Sequence, residues 1–279
     1  MSDSIFLAEG GNFMPTEHAA GPWDPQALHG GAPAALITTA FERVEPGSEL
    51  PIARLGFELL RPVPYAPLSI STAILRPGRR VQELTAELRD GEELIARASA
   101  LRVQPIPDDI PAVSPVPAGG GVSDAHAESE AEAAAERRMP GPEAGEQIRF
   151  ALDESDRPSF ASSAMEMRWL DPPFELGPAR VWMRLRHPLL AGEPLTPLAR
   201  LAATADFGNG VSAALPFERF LFINADLTIH LRRQPLGEWI GLDARTLLDA
   251  GGTGLAVSVL HDVQGPVGHA FQALVVQPR

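Results

Sequence analysis

Two stretches of this chain end in nearly the same words. Leu101-Arg102-Val103-Gln104-Pro105 closes one, and Leu274-Val275-Val276-Gln277-Pro278 closes the other, 173 residues later. The echo runs backwards from both ends. Phe57-Glu58-Leu59-Leu60-Arg61-Pro62 answers Ile229-His230-Leu231-Arg232-Arg233-Gln234-Pro235, and Leu88-Arg89-Asp90-Gly91 answers Leu260-His261-Asp262-Val263-Gln264-Gly265. With one-residue slips, an offset of 172 or 173 carries some fifty residues of the first half onto the second. Solenoids repeat every ~20–50 residues, so one long repeat marks a duplicated domain. Two copies are free to diverge, and a polar residue kept in only one copy is a candidate for chemistry.

The period of the apolar residues gives the content of each copy. In the first, two short strands around Gly10-Gly11-Asn12 precede Trp23 to Gly31, and Ala32 to Val44 is a run of small and apolar helix formers. Its interior, Ala34 to Phe41, is apolar on nearly every face, as in a buried helix. Period-two alternation follows at Leu55–Leu59, Leu68–Ile74, Val81–Leu88 and Leu94–Val103, with Arg76-Pro77-Gly78-Arg79 and Asp90-Gly91 as hairpin turns. In the second copy, strands are expected at Met165–Leu170 and Ala179–Leu185. Thr196-Pro197 opens a helix reaching about Phe207, and strands follow at Leu227–Leu231, Ile240–Leu248, Leu255–Leu260 and Val267–Val276. A buried helix followed by a meander of long antiparallel strands is an α+β unit. Two such units are expected, at residues 1–105 and 161–279. Between them, residues 106–160 are rich in proline, glycine, alanine and acid, the composition of a linker with or without a surface helix.

Several kinds of chemistry are excluded by composition. The chain has 279 residues, 44% of them apolar, no cysteine and no lysine, since all 23 basic residues are arginine. Thiolate nucleophiles, disulfides, Schiff bases and the phosphate-loop lysine therefore drop out. A net charge of −13 argues against a nucleic-acid partner. No apolar run approaches ~18 residues and no charged-then-apolar leader is seen, so a cytoplasmic location is expected. There is no Gly-x-Ser-x-Gly elbow, and the seven histidines form no His-x-His or His-x-x-x-His pair, so neither metal nor cofactor is expected.

The positive signals are few. His29-Gly30-Gly31 stands at the mouth of the buried helix, where glycines let a ligand approach backbone N–H groups, or simply make a tight turn. Asp226, Thr246 and Gln272 lie on three strands of the second copy. Their counterparts in the first are Ala53 or Arg54, Ala73 or Ile74, and Ser99. A carboxylate, a hydroxyl and an amide converging on one spot would orient and activate a water. Each has an ordinary reading too: turn residue, strand former, hydrogen-bonded edge residue.

At this point the chain resembles the acyl-CoA thioesterase II (TesB-like) family, in which two hotdog folds are fused in one polypeptide. The resemblance spans roughly 1–105 and 160–279. It rests on Gly21-Pro22-Trp23, His29-Gly30-Gly31, Leu60 to Pro64 and Arg76 to Gln82, and in the second copy on Ala202 to Phe207, Asp226, Arg233 to Pro235, Gly237-Glu238-Trp239 and Gln272. It implies a double hotdog, each unit a long antiparallel sheet around a central helix, and hydrolysis of acyl-CoA to acid and CoA. The family's Asp, Thr or Ser, and Gln trio maps onto Asp226, Thr246 and Gln272. Two departures stand out: Leu227 follows the aspartate where the family often has histidine, and Thr246 aligns only across a one-residue gap. Gly30 or Gly31 would polarise the thioester carbonyl and His29 would line the site. Arg61, Arg79, Arg80 and Arg233 would be available for the CoA phosphates, and whole chains would self-associate. Two other readings stay open: a silent acyl-CoA or lipid-binding module, and an enoyl-CoA hydratase using Asp24 and His29, five residues apart.

Overall fold

The structure is a computed structural model that describes residues 3–21, 24, 26–107, 109–110, 139–149 and 157–279. The acidic helix candidate of the linker, Pro22 and Trp23 lie outside the described residues.

In the first half, β1 (Phe6–Glu9) and β2 (Asn12–Pro15) form a hairpin whose turn, Gly10-Gly11, has φ of 58° and 86°. Helix α1 (Gly31–Arg43) follows, then β3 (Ile52–Leu59), β4 (Ser69–Arg76), β5 (Val81–Asp90) and β6 (Glu93–Val103). Ala32, Ala35, Leu36, Ile37 and Phe41 of α1 are buried, as its sequence requires. The second half contains β7 (Glu146–Gln147), β8 (Met165–Trp169), β9 (Ala179–Leu185), α2 (Pro197–Ala205), α3 (Gly208–Val211), β10 (Phe220–Asn224), β11 (Asp226–Leu231), β12 (Ile240–Leu248), β13 (Gly254–Asp262) and β14 (Gly265–Pro278). Thr196 caps α2, its hydroxyl accepting from the Ala199 N–H at 3.1 Å, with Pro197 at the first helical position.

The two halves share one antiparallel sheet, in the order β4-β5-β6-β3-β11-β14-β13-β12-β9-β8-β7, with β10 also paired to β14. The seam is β3 against β11, with Leu55 opposite Ile229 and Phe57 opposite Leu227. All four of these side chains are buried. The edge that each half would expose alone is thus closed by the other. Helices α1 and α2 lie antiparallel on the inner face of this sheet. Gly31 sits against the Ala203 carbonyl at one end, and the Thr196 hydroxyl donates to Glu42 at 2.7 Å at the other.

Some of residues 106–160 are part of the folded body. Met139 is buried beside Gly241, the Trp182 indole donates to the Pro140 carbonyl at 2.6 Å, and β7 extends the sheet through β8. Phe160 is fully buried, and its N–H donates to the Ala20 carbonyl at 2.9 Å. These anchors are isolated apolar residues in polar surroundings, too far apart to leave any period for the sequence to show.

Candidate functional site

The N-terminus of α1 meets the C-terminus of α2, and each is built for that meeting. Neither Gly30 nor Gly31 has a positive φ, so the tight-turn reading fails. What these positions require is the absence of a side chain. A Cβ at Gly31 would lie 2.4 Å from the Ala203 carbonyl oxygen, and one at Gly30 would lie 2.8 Å from Oδ2 of Asp206. His29 stacks on Phe207 with ring centroids 4.2 Å apart and leans on Phe160 at 5.1 Å. Its Nδ1 is 3.0 Å from the Gly31 N–H and 3.1 Å from Asp206 Oδ2. One ring nitrogen cannot serve both at once. Unprotonated, it accepts from Gly31; protonated, it donates to the carboxylate. The Gly30 N–H has no hydrogen-bond partner among the described residues.

Asp206 is the residue that sequence reasoning missed. It follows the last residue of α2, is only 6% exposed, and sits at the C-terminal end of the helix, where the macrodipole disfavours negative charge. Its carboxylate is held from three directions. Oδ1 accepts from Asn224 Nδ2 at 2.9 Å and faces Gln272 Nε2 at 3.5 Å, while His29 approaches Oδ2. Gln272, 1% exposed, also donates to the Asp206 carbonyl at 3.1 Å and accepts from the Asn209 N–H at 3.1 Å, tying the end of α2 to the start of α3. An apolar cleft opens beside this group, lined by Gly30, Pro33, Ile37, Leu59, Asp206 and Leu227 among others, with room for about one water. The signal in the sequence was a lone carboxylate closing the run Leu201-Ala202-Ala203-Thr204-Ala205. Asn224, an amide ending Phe220-Leu221-Phe222-Ile223, gave a weaker one.

The expected trio does not converge. Gln272 is at the centre of this site, but Asp226 lies on the other face of the sheet. Its neighbour Leu227 points into the cleft, so Asp226 points out, where its Oδ1 accepts from the Ala273 N–H at 2.7 Å. Thr246 does face inward, yet it is two strands from Gln272, with Ala256 between them. Two strand spacings are ~10 Å. Its hydroxyl lies 3.0 Å from Ser212 Oγ, which itself donates to the Gly208 carbonyl at 2.8 Å. The physical reason is that Asp226 is out of phase with the inward-facing Leu227 and Ile229 of its strand, and that an intervening strand separates Thr246 from Gln272.

Of the arginines, Arg61 follows β3 at the His29 end and pairs with Glu93 at 2.9 Å, both groups exposed. Arg79 and Arg80 line an open hollow beside Arg76 and Ile106, past the C-terminus of α1 and ~20 Å away along a helix of this length. Arg233 is bound to Asp262 at 2.5 and 2.6 Å and to the Gly265 carbonyl at 2.9 Å, also at that far end. These three are not brought to Asp206. Asp24 is exposed and accepts from the Gln26 N–H at 2.8 Å, a turn of its own making, while His29 faces Asp206 instead. The acid–base pair that a hydratase would use is therefore not assembled. No cluster of three or more His, Cys, Asp or Glu suited to a metal occurs among the described residues, and no helix there is long and apolar enough to cross a membrane.

Comparison with known proteins follows the same division into halves. The chain matches the model of the acyl-CoA thioesterase N-terminal domain over residues 19–103 and that of the acyl-CoA thioesterase C-terminal domain over 130–276. The second match reaches back over Met139–Ile148, which packs on the second half. No curated protein sequence matches the chain. Among solved structures, a hot-dog-fold protein of unknown function from Alicyclobacillus acidocaldarius is 16% identical with a TM-score of 0.67, over 98% of this chain and 95% of that one. The tesB protein of Mycobacterium avium subspecies paratuberculosis is 16% identical with a TM-score of 0.59, over 98% and 96%. The acyl-CoA thioesterase II TesB2 of Mycobacterium marinum is 17% identical with a TM-score of 0.56, over 91% of each. At such identities the structural likeness establishes the double-hotdog fold, as expected from the sequence.

Proposed function

The chain belongs to the acyl-CoA thioesterase family, and we propose that it hydrolyses its thioester where α1 of the first half meets Asp206 of the second. The observation that carries this reading is the buried Asp206 carboxylate, held by Asn224 and Gln272 at the rim of an apolar cleft and 2.8 Å from the point a Gly30 Cβ would occupy. In the proposed reaction Asp206 removes a proton from a water that Gln272 and Asn224 help to orient. The resulting hydroxide adds to the thioester carbonyl carbon. The unengaged Gly30 N–H, at a helix N-terminus, receives the developing oxyanion. Collapse of the tetrahedral intermediate breaks the carbon–sulfur bond, and the departing CoA thiolate takes up the proton that Asp206 holds. His29 acts by positioning: its protonated Nδ1 would hold Oδ2 and leave the Gly31 N–H free, and its unprotonated form would release the carboxylate.

The site is thus composite, with the carbonyl-binding group from one half and the base from the other. Arg61, on the same end, is the arginine best placed for the CoA phosphates. The apolar lining fits an acyl chain, which needs Ile37, Leu59 or Leu227 to give way. The test is release of CoA from a panel of acyl-CoA chain lengths by wild type and Asp206→Asn. Hydrolysis by the wild type and its loss in the variant are expected. Binding without release by the wild type would instead establish a silent module.

A further inference from the structure

The tip of the β4–β5 hairpin carries a combination that an edge strand does not need. Arg76, Arg79 and Arg80 line the open hollow beyond the C-terminus of α1, with Pro105, Ile106 and Ile110 also in its walls and no acidic residue among them. All three arginines are exposed, and no carboxylate of the described residues pairs with them. Glu83, opposite Arg76 on β5, faces Arg54 at 3.8 Å instead. Ile106 and Leu75, 74% and 65% exposed, are the two most exposed large aliphatic side chains among the described residues, and Ile110 is 54% exposed. Leu75 stands where β4 loses its register with β5, directly before Arg76. The parts are fixed relative to one another. A Cβ at Gly78 would overlap the Val81 carbonyl oxygen, so the turn is tight, and the Gln104 N–H donates to the Arg80 carbonyl at 2.8 Å. Charge alone protects a sheet edge from pairing. It gives no reason for large aliphatic side chains to stand in water beside it.

We propose that this corner docks the protein on the surface of an anionic lipid bilayer. Leu75, Ile106 and Ile110 enter between head groups, and the three guanidinium groups meet lipid phosphates, to which each can donate two parallel hydrogen bonds. The aliphatic side chains project singly, from an irregularity in β4 and from the segment after β6, and form no continuous face for a folded protein to cover. A fluid surface takes such projections one by one. The charge of the whole chain does not oppose the contact. At physiological salt, fields fade over ~8 Å, so of the net −13 only groups near the corner count. There, three arginines outweigh Asp109, which is exposed beside Ile110. Each arginine near an anionic leaflet strengthens binding by about fivefold, and burial of one aliphatic side chain by about tenfold or more. Stable docking takes both signals, and this corner has both. Arg79 and Arg80, too far from Asp206 to serve CoA there, thus gain a phosphate partner of another kind. The His29–Asp206 end stands ~20 Å from this contact along α1.

The experiment is co-sedimentation of the full chain with vesicles of phosphatidylcholine alone and of phosphatidylcholine with one third phosphatidylglycerol. Wild type is expected to pellet with the anionic vesicles, to stay in solution with the neutral ones, and to be released by salt. Arg79→Gln with Arg80→Gln should lower the partition coefficient by about twentyfold and flatten its salt dependence. Ile106→Asn should lower it about tenfold with the salt dependence kept, and Leu75→Ser, on a different element, should do the same. All four positions are exposed, so the melting curves should not move. Inorganic phosphate at matched ionic strength should displace none of the bound protein, which separates a bilayer from a free anion. A wild type that stays in solution with both kinds of vesicle would overturn the proposal, whether the hollow then took a protein segment or nothing. So would binding that ignores the arginine pair, or that both aliphatic variants leave intact. None of these outcomes depends on whether the chain cleaves thioesters.

Discussion

At one end of the antiparallel helix pair Asp206 faces an apolar cleft; at the other, the related space is filled. There Arg102, 4% exposed, donates to the carbonyls of Phe41 and Val44 at 3.0 and 2.7 Å and to Gln82 Oε1 at 3.0 Å. Gln82 in turn donates to Glu45 at 2.7 Å. Glu42 lies beside them, its carboxyl pushed above the usual range by burial, against the Thr196 hydrogen bond and the Arg102 charge. Both ends close a helix C-terminus with a side chain from the last strand of their own half, Arg102 from β6 and Gln272 from β14. The difference is the charge left over. Arginine neutralises and plugs its end, whereas a neutral amide brings no charge to the carboxylate of Asp206 and leaves it beside space. One architecture, used twice, gives a structural joint at one end and the proposed site at the other.

The largest test of that contrast replaces the Asp206 carboxylate. Asp206→Asn preserves volume and both amide contacts but removes the proton acceptor, so CoA release should fall by ~10²–10⁴-fold. Equilibrium binding of acyl-CoA should change little. Asp226→Asn, on the outer face, should leave the rate within twofold. If the two variants exchange these phenotypes, the helix-pair end is not the reactive one.

The second test acts on the plug. Arg102→Met keeps the length of the side chain but leaves two carbonyls and Gln82 unpaired and removes the cation near Glu42 and Glu45. Unfolding free energy should drop by about 3 kcal/mol, read as a lower urea midpoint. Turnover per folded molecule should stay within threefold. A hundredfold loss of rate at unchanged stability would give this end a part in catalysis.

The far end also holds the pH sensitivity of the fold. His261 is buried, and burial lowers its pKa from 6.5 to about 4; Asp262 opposes the shift, while Arg233 and His269 add to it. Between those values the unfolded chain takes up a proton that the folded chain refuses. Stability is therefore complete above the unfolded value and declines as pH falls, by about 2 kcal/mol between pH 7 and pH 5 from this group alone. Asp262 works in the same direction. Burial opposes its ionisation, but Arg233 and the N–H groups of Gln264 and Leu236 outweigh that and hold its pKa low, so its contribution is lost in more acid solution. His261→Leu should flatten the pH 7 to 5 segment in urea titrations, and an unchanged slope would reject the assignment.

How much of this the sequence carried depends on which period was read. Alternation gave the long strands to within three residues but neither β7 nor β10, and the cap at Thr196 and the composition of α1 gave α1 and α2. The same alternation also held the answer on Asp226. Leu227, Ile229 and Leu231 place the apolar face of β11, so Asp226 and Thr228 belong to the other, while Gln272 shares the inner face with Ala270 and Leu274. Asp206 and Asn224 were harder to find. Asp206 owes its place to α2 ending after 9 residues where α1 runs for 13, and no offset taken from the strands can represent a helix of different length. Asn224 reaches Asp206 only because β10 turns in before β11, a fact of the chain's path.

The smallest effect is expected at Thr246, where the sequence placed a catalytic hydroxyl. In the structure that hydroxyl closes a short relay, Thr246 to Ser212 to the Gly208 carbonyl, which ties β12 to the start of α3. Gly208 itself is packed under Gln272 and Ser258, since a Cβ there would lie 2.8 and 2.7 Å from their oxygens. Thr246 therefore touches the site only through the seat of α3. Thr246→Val keeps the shape and removes one hydrogen bond of a part-buried pair, a loss of about 1 kcal/mol in stability. Any change in CoA release should stay within threefold and be matched by Ser212→Ala, which breaks the same relay from the other side. If Thr246→Val instead lowers the rate a hundredfold while Ser212→Ala does not, the hydroxyl itself meets the substrate, and the reactive end extends two strands further than Gln272.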